Sequence, residues 1–511
     1  MRWKQLWAKK DLQTLLDEMA GDNRLRRVLG PVTLTALGVG AVIGAGIFVA
    51  TGSAAKEVAG PALMVSYMVA GLACIFAALC YAEFASMAPV AGSAYTYAYT
   101  TLGELFAWII GWDLVLEYAV GAATVANGWS GYFQSVLAKF HIHFPDMLAK
   151  APYVYVDGHI AETGSIVNLP AVIITAIMTA VLVKGIQESA GFNALMVFIK
   201  VAAVLFVILV GAFYVNPDNW DPFAPFGWTG ISFFGYPVHG QVNKGGEPIG
   251  MLAGAAIIFF AYIGFDSVST HAEEAKNPQR DVPIGIIASL VICTILYIAV
   301  VAVLTGMVRF DQLDKDAGVS SAFHRAGLPI AEFIIAAAGV AGITSVLLVM
   351  MLSAPRVFLA MARDGLVPHK FFSDVHPKYK TPWKSTIAIG VFVSLLAGLL
   401  PIDALLHLTN IGTLFAFVIV CTAVLVMRRI NPGAKRPFRC PFVPVVPILG
   451  IGTCLLLMLS LPAANWWRLI AWLTLGLLIY AFYGRYHSTL GKELLEEEAR
   501  HGISPRGSLR D

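Results

Sequence analysis

Charge is what this chain has least of. Of 511 residues, 13% are Asp, Glu, Lys or Arg, against roughly 25% in an average soluble domain. A soluble fold could not hide the 58% that is hydrophobic. The formal net charge of +3 is small and spread along the chain, which gives no reason to expect a nucleic-acid partner.

Cysteine is scarce too. The six residues (Cys74, Cys80, Cys293, Cys421, Cys440 and Cys454) lie mostly inside apolar runs without paired CxxC spacing. That argues against disulfides and structural zinc, and they read as small packing residues. Metal-ligand spacing, a nucleophile elbow, a phosphate loop and a flavin fingerprint are all missing, so neither an embedded enzyme nor an ATP-driven pump has support, and no cofactor is expected. Gly38-Val39-Gly40 lacks the preceding strand and βαβ context of a dinucleotide loop. The first thirty residues mix Lys4, Lys9, Lys10, Asp11, Glu18, Arg24, Arg26 and Arg27 without an apolar h-region. No cleavable signal peptide is expected, and the N-terminus is expected to stay cytoplasmic.

What the chain does have is long apolar runs. A bilayer core needs roughly 20 apolar residues, and only helices or closed barrels satisfy the backbone there. Twelve runs qualify, from Val32–Thr51 to Trp467–Tyr483, the ninth (Ser385–Leu400) being short. Basic residues collect on alternate connections: Arg363, Lys370, Lys378, Lys380 and Lys384, then Arg428, Arg429, Lys435, Arg436 and Arg439. The positive-inside rule makes those connections cytoplasmic, and an even count returns the C-terminus to the same side. Lys139–Asn168 and Val215–Gly250 then become external loops. Pro89–Tyr99, aromatic and uncharged, suits a short helix in the interface plane. The acidic tail with Glu493, Glu496, Glu497 and Glu498 reads as a short solvated helix or disordered end.

Two spans carry the signs of a binding site. The first reads Gly38-Val39-Gly40-Ala41-Val42-Ile43-Gly44-Ala45-Gly46-Ile47-Phe48, and each glycine disfavours helix by about 1 kcal/mol relative to alanine. Close packing through small residues is one reading. The other is an unwound stretch whose N–H groups, at the start of the outer half-helix, hold a carboxylate. The sixth span repeats the pattern in Phe259-Phe260-Ala261-Tyr262-Ile263-Gly264-Phe265-Asp266-Ser267, where freed carbonyls would accept from an ammonium group. Spans one and six correspond if the first ten helices form two repeats of five, and paired interruptions at equivalent places point to a transporter with a midplane site.

Ionisable residues inside the apolar runs are few, and burying each costs several kcal/mol unless it is paired or neutralised. Lys200 stands alone in Val197–Val204, too deep for easy snorkelling. A lysine in such surroundings can exchange its proton as they change, making it the candidate proton carrier. Asp113 and Glu117 share one face of the third span. Glu117 either lines the pathway or ties helices together, and Asp266 either caps freed N–H groups or joins a gate. Glu83, near the end of its span, suits a structural bond to a neighbouring helix. Met350 and Met351 read on their own as core.

In order along the chain, Gly38-Val39-Gly40 with Gly44-Ala45-Gly46-Ile47-Phe48, Cys80-Tyr81-Ala82-Glu83-Phe84, Gly92-Ser93-Ala94-Tyr95, Tyr262-Ile263-Gly264-Phe265-Asp266, Glu273–Gln279, Met361–Gly365 and Asn410–Leu414 form a specific set. With them the chain resembles the amino acid, polyamine and organocation transporter superfamily, and within it the cationic amino acid transporter family, in its bacterial, proton-coupled form. The resemblance implies an all-α polytopic fold of twelve transmembrane helices, a five-plus-five inverted repeat with two accessory helices. Its boundaries are a cytoplasmic segment 1–30, a first repeat 31–215, an external loop 216–250, a second repeat 251–430, accessory helices 431–485 and a cytoplasmic tail 486–511.

The resemblance also implies roles. Backbone of Gly44, Ala45 and Gly46 binds the carboxylate. Carbonyls of Val42, Phe260 and Ile263 bind the α-ammonium, with Ile43 and Gly264 in the same breaks and Phe260 as an aromatic gate. Met350 faces the substrate side chain, where its bulk crowds a long cationic chain and makes smaller neutral amino acids plausible. Lys200, Glu117 and Asp266 serve proton coupling and gating. The expectation is proton-coupled import of an L-amino acid across the plasma membrane, a small accessory membrane subunit being a further potential partner. The alternatives are an amino acid or polyamine exchanger and a non-transporting nutrient receptor.

Overall fold

The computed structural model describes residues 3–11, 29–88, 93–156, 159–185, 189–272, 275–314, 318–379 and 381–500. Among the features singled out above, Glu18, Arg24, Arg26, Arg27, Pro89, Gly92, Glu273, Glu274 and Lys380 fall outside them, as do the side chains of Glu497 and Glu498.

Among the described residues, eight helical stretches are long and apolar enough to cross a membrane, and three shorter apolar helices accompany them. The chain is therefore a multi-pass membrane protein. Within the first stretch, Pro31–Met87, helix α1 (Pro31–Val42) stops and π-type turns follow. A left-handed Gly60 (φ 63°), where any Cβ would strike the Pro225 ring, then redirects the chain into α2 (Leu63–Met87). Next come α3 (Ser93–Thr101), α4 (Glu104–Ala138), α5 (Leu169–Lys184) and α6 (Ser189–Gly211). The later chain forms α7 (Met251–Ile258), α8 (Pro278–Met307), α9 (Gly318–Arg325), α10 (Pro329–Arg363), α11 (Trp383–Leu399) and α12 (Ile402–Ile430). Two more helices, α13 (Val445–Leu459) and α14 (Ala463–Ile479), pack outside this set, on α2, α12 and α4.

The long connections are not featureless. Tyr153–Val156 pairs with His159–Glu162, Ile231–Phe233 with Tyr236–His239, and Gln241–Val242 with Pro248–Ile249, each as an antiparallel hairpin. Beyond the bilayer the backbone has water to bond with, so strands are admissible there.

Small residues let the helices approach closely. The most extensive partnership is α4 with α10, where Gly339 accommodates the Tyr132 ring so closely that a Cβ would sit 2.7 Å from it. In a bilayer, packing of this kind replaces the hydrophobic drive between helices.

Both described ends of the chain meet at one end of the bundle. Glu104, fully buried at the first position of α4, accepts from Gln5 Nε2 (3.0 Å), Tyr99 (3.0 Å), Tyr480 (2.8 Å) and Ser488. A carboxylate at a helix N-terminus is also favoured by the helix dipole. Beside it, Asp364 takes Lys10 Nζ at 2.9 Å and the Tyr95 hydroxyl at 2.6 Å. Burial, then the Asp364 charge, push the Tyr95 hydroxyl well above its ordinary value, so it stays a donor.

Candidate functional site

The first interruption falls between Val42 and Gly46. Ile43 is the last residue to donate to the α1 ladder, from its N–H to Val39 O at 3.0 Å, and its own backbone is extended (φ −72°, ψ 105°). The helix resumes from Ala45. The leading N–H groups of any helix lack an intrahelical acceptor and carry the positive end of its dipole, so the restart aims Gly44, Ala45 and Gly46 at whatever fills the gap.

The sixth span breaks in the same way. After α7 the chain tightens into a 3-10 turn, Phe259–Tyr262, turns through Ile263 to Asp266, and resumes at Ser267–Thr270. Gly264 sits at φ 121°, and a Cβ there would be 2.8 Å from Ala41 O, so a side chain would be both strained and blocked. Asp266 closes the turn by accepting from Gly264 N at 3.2 Å, and it holds the Tyr118 hydroxyl of α4. Asn410 Nδ2 of α12 donates to Ala256 O (2.9 Å) and Ile257 O (2.8 Å), fixing the approach to the break.

The two interruptions cross each other. A Cβ at Gly46 would land on the Ala261 backbone, so the two segments touch main chain to main chain. Tyr297 of α8 bridges them, its hydroxyl lying 2.8 Å from Val42 O and 3.1 Å from Ala261 O. The glycines thus serve close packing and interruption together, and both readings of the Gly38–Gly46 run apply.

Lys200 of α6 is fully buried and reaches the end of α1. Its Nζ donates to Gly40 O, to Ile43 O at 3.0 Å and to Ser345 Oγ of α10 at 2.7 Å. Ser345 can accept because its own proton goes to Gly342 O at 3.0 Å. An ammonium group has three donors, so this set satisfies it. The negative end of the α1 dipole lies at the same place.

Met350 lies one turn beyond Val346 on α10, and Val346 Cγ2 is 2.5 Å from where a Gly44 Cβ would stand. Residues four apart share a helix face, so Met350 continues the face that meets the first break, its sulfur against Gly121 of α4. Val42, Ile43, Gly44, Ala45, Gly46, Phe260, Ile263, Gly264, Met350 and Lys200 are all buried.

Asp266 and Glu117 lie within electrostatic reach of each other, Glu117 on α4 one position before Tyr118. Glu83 is placed elsewhere, at the end of α2. Arg428 grips it through Nη2 at 2.6 Å and Nε at 3.1 Å, Arg436 stands 3.2 Å away, and Cys440 N donates at 2.7 Å.

Tyr297, Tyr118, Ser345 and Asn410 organise the breaks, yet none was singled out from sequence as a side chain of the site. Their one signal was a polar group inside an apolar run, which a buried Tyr or Ser meets equally well by bonding within its own core.

Compared with known proteins, residues 29–482 match the family model described as amino acid permease. The branched-chain amino acid permease BcaP of Bacillus subtilis is 47% identical over 95% of this chain and 99% of its own length. The methylthioribose transporter of the same organism is 46% identical with the same coverage. A human protein, cationic amino acid transporter 4, is 37% identical over 81% of this chain and 61% of its own length.

Proposed function

Because the chain belongs to the amino acid permease family, we propose that it is a secondary carrier that imports an L-amino acid together with a proton by alternating access. Permeases of this family are transporters, not enzymes. The observation that carries the reading is the crossing of two interrupted helices, Gly46 against Ala261, with Lys200 bonded to the end of one of them. Dividing the Pro31–Met87 stretch at Gly60 and counting the three shorter apolar helices gives twelve spans, which suits two repeats of five followed by α13 and α14.

Gly44, Ala45 and Gly46 hold the substrate carboxylate on N–H groups. Carbonyls of Val42, Phe260 and Ile263 hold its ammonium, Phe260 gates it, and Met350 limits its side chain. Val42 O already receives Tyr297, but a carbonyl has a second lone pair. Lys200, with Glu117 and Asp266, links protonation to the closure of the breaks. The shared end of the two chain segments, where Lys10 pairs with Asp364, is the cytoplasmic one, and the membrane is the plasma membrane.

The 46% relative supports a second reading, carriage of methylthioribose. That sugar has neither carboxylate nor ammonium, so paired N–H and carbonyl ends would go unused.

Reconstituted vesicles test both readings. Labelled amino acid should accumulate when a pH gradient is imposed and be displaced by a subset of the twenty amino acids. Uptake blind to the gradient would remove the proton. Displacement by methylthioribose alone would remove the amino acid.

A further inference from the structure

Asp113 and Glu117 occupy one face of α4, 1% and 3% exposed, and no carboxylate oxygen of either has a hydrogen-bond partner among the described residues. The Thr413 hydroxyl lies beside Glu117 but gives its proton to Thr409 O at 3.2 Å. Leaving two carboxyl groups unbonded in a membrane interior costs several kcal/mol unless something neutralises them.

Both line a cavity of about 10 Å³ between α4, α12 and α14, whose wall includes Thr409, Gly412 and Arg468. That is the room for a single water. Gly412 lets the Asp113 carboxylate lie on the α12 backbone, where a Cβ would be 2.8 Å from Oδ1. Glu117 is also within electrostatic reach of Asp266, as are Tyr118 and Tyr81. Asp113 and Glu117 both border the cavity, and through Glu117 the carboxyl groups form a series that ends at the turn of the sixth span. Lys200 lies apart from this series, on the Gly40 and Ile43 carbonyls.

We propose that Asp113 and Glu117 form a proton-binding site loaded through the cavity beneath α14, with Asp113 the first acceptor. The ligand is a proton delivered by water: a hydronium O–H bond breaks, an O–H forms on a carboxylate oxygen, and neutral water remains. A metal cation is disfavoured because it needs a cage of several oxygens, whereas this cavity has room for about one water and has Arg468 in its wall. The inference deepens the proton-coupled reading and rests on it for its role in transport.

The full-length protein in lipid vesicles is treated with dicyclohexylcarbodiimide, which adds to protonated carboxyl groups in apolar sites, and the adducts are mapped by mass spectrometry. Asp113 or Glu117 should be labelled, with labelling falling about tenfold for each pH unit once the group titrates. The ion-paired Glu83 should stay unlabelled. Asp113→Asn should keep exchange of labelled substrate across the membrane while losing about tenfold in pH-driven accumulation. Labelling absent from both residues, or indifferent to pH, would overturn the site. So would an Asp113→Asn protein that loses exchange and accumulation in parallel, since that marks a structural role. If pH-dependent labelling appears but wild-type uptake ignores a pH gradient, the proton site stands and the coupled reading of transport falls.

Discussion

Trp112 and Trp472 each donate their indole N–H to the other's backbone carbonyl, at 3.0 and 3.2 Å, with rings stacked 4.5 Å apart. A third indole, Trp108, donates to Gly476 O at 2.9 Å, and Gly476 is the gap that admits Trp112. The outer helix α14 is thus laced to α4 through bonds that lipid cannot replace. Trp472→Ala should lower stability by about 2 kcal/mol, and Gly476→Leu by at least as much, read as a reduced melting temperature in detergent. Substrate preference should not move.

Ser345 completes the set of acceptors around Lys200. A hydrogen bond to a charged group contributes about 1.5–3 kcal/mol. Ser345→Ala should therefore reduce pH-driven accumulation severalfold, while Ser345→Thr, which keeps the oxygen, retains most of it. Equal losses in both would mean that volume, not the acceptor, matters at this position.

The crossing of the two breaks tolerates no side chain at Gly46 and no L-residue at Gly264. Gly46→Ala and Gly264→Ala should each abolish uptake, a loss of about tenfold or more being what a strain of 1–3 kcal/mol implies. Substrate binding to detergent-solubilised protein should fail with it. Gly131→Ala, where nothing stands within 4 Å of the new methyl, is the matched control and should transport normally.

Glu83 is more deeply buried than the arginine that holds it, 2% exposed against 28%. Arg428→Ala leaves this carboxylate to Arg436, 6% exposed and 3.2 Å away, whereas Glu83→Gln takes the counter-charge from both guanidinium groups. Glu83→Gln should therefore cost about 3 kcal/mol and Arg428→Ala less, an order that thermal melts of the two variants check directly.

Met350→Ser should open the space beside Gly121 and widen the accepted side chains toward longer or polar ones. Competition against a labelled substrate by all twenty amino acids measures this. An unchanged ranking would separate Met350 from selectivity.

The interruptions themselves were legible in the sequence, because glycine and aspartate are costly inside an apolar helix and stand out against it. Lys200 was legible for the same reason. Its partners were not: Gly40 O and Ile43 O are main-chain atoms that every residue possesses, and only the fold decides which carbonyls lose their helical donor. Tyr297 and Tyr118 were hidden differently, since an apolar run gives a tyrosine no distinguishing neighbour. Trp112 and Trp472 are 360 positions apart, and nothing local in either segment announces a stacked pair. The hairpins between Tyr153 and Glu162 and between Ile231 and Ile249 lie in connections whose composition offered turns but no periodicity.

Glu104 gives the two ends of the chain a common fate. Gln5 and Ser488 lean on the same carboxylate, and Gln5 also donates to Arg485 O at 2.8 Å. Trimming either end removes donors from one buried acceptor, so the second deletion meets a group already partly stripped, and the two effects do not simply add. A truncation that reaches Gln5 at one end or Ser488 at the other alters the packing of both.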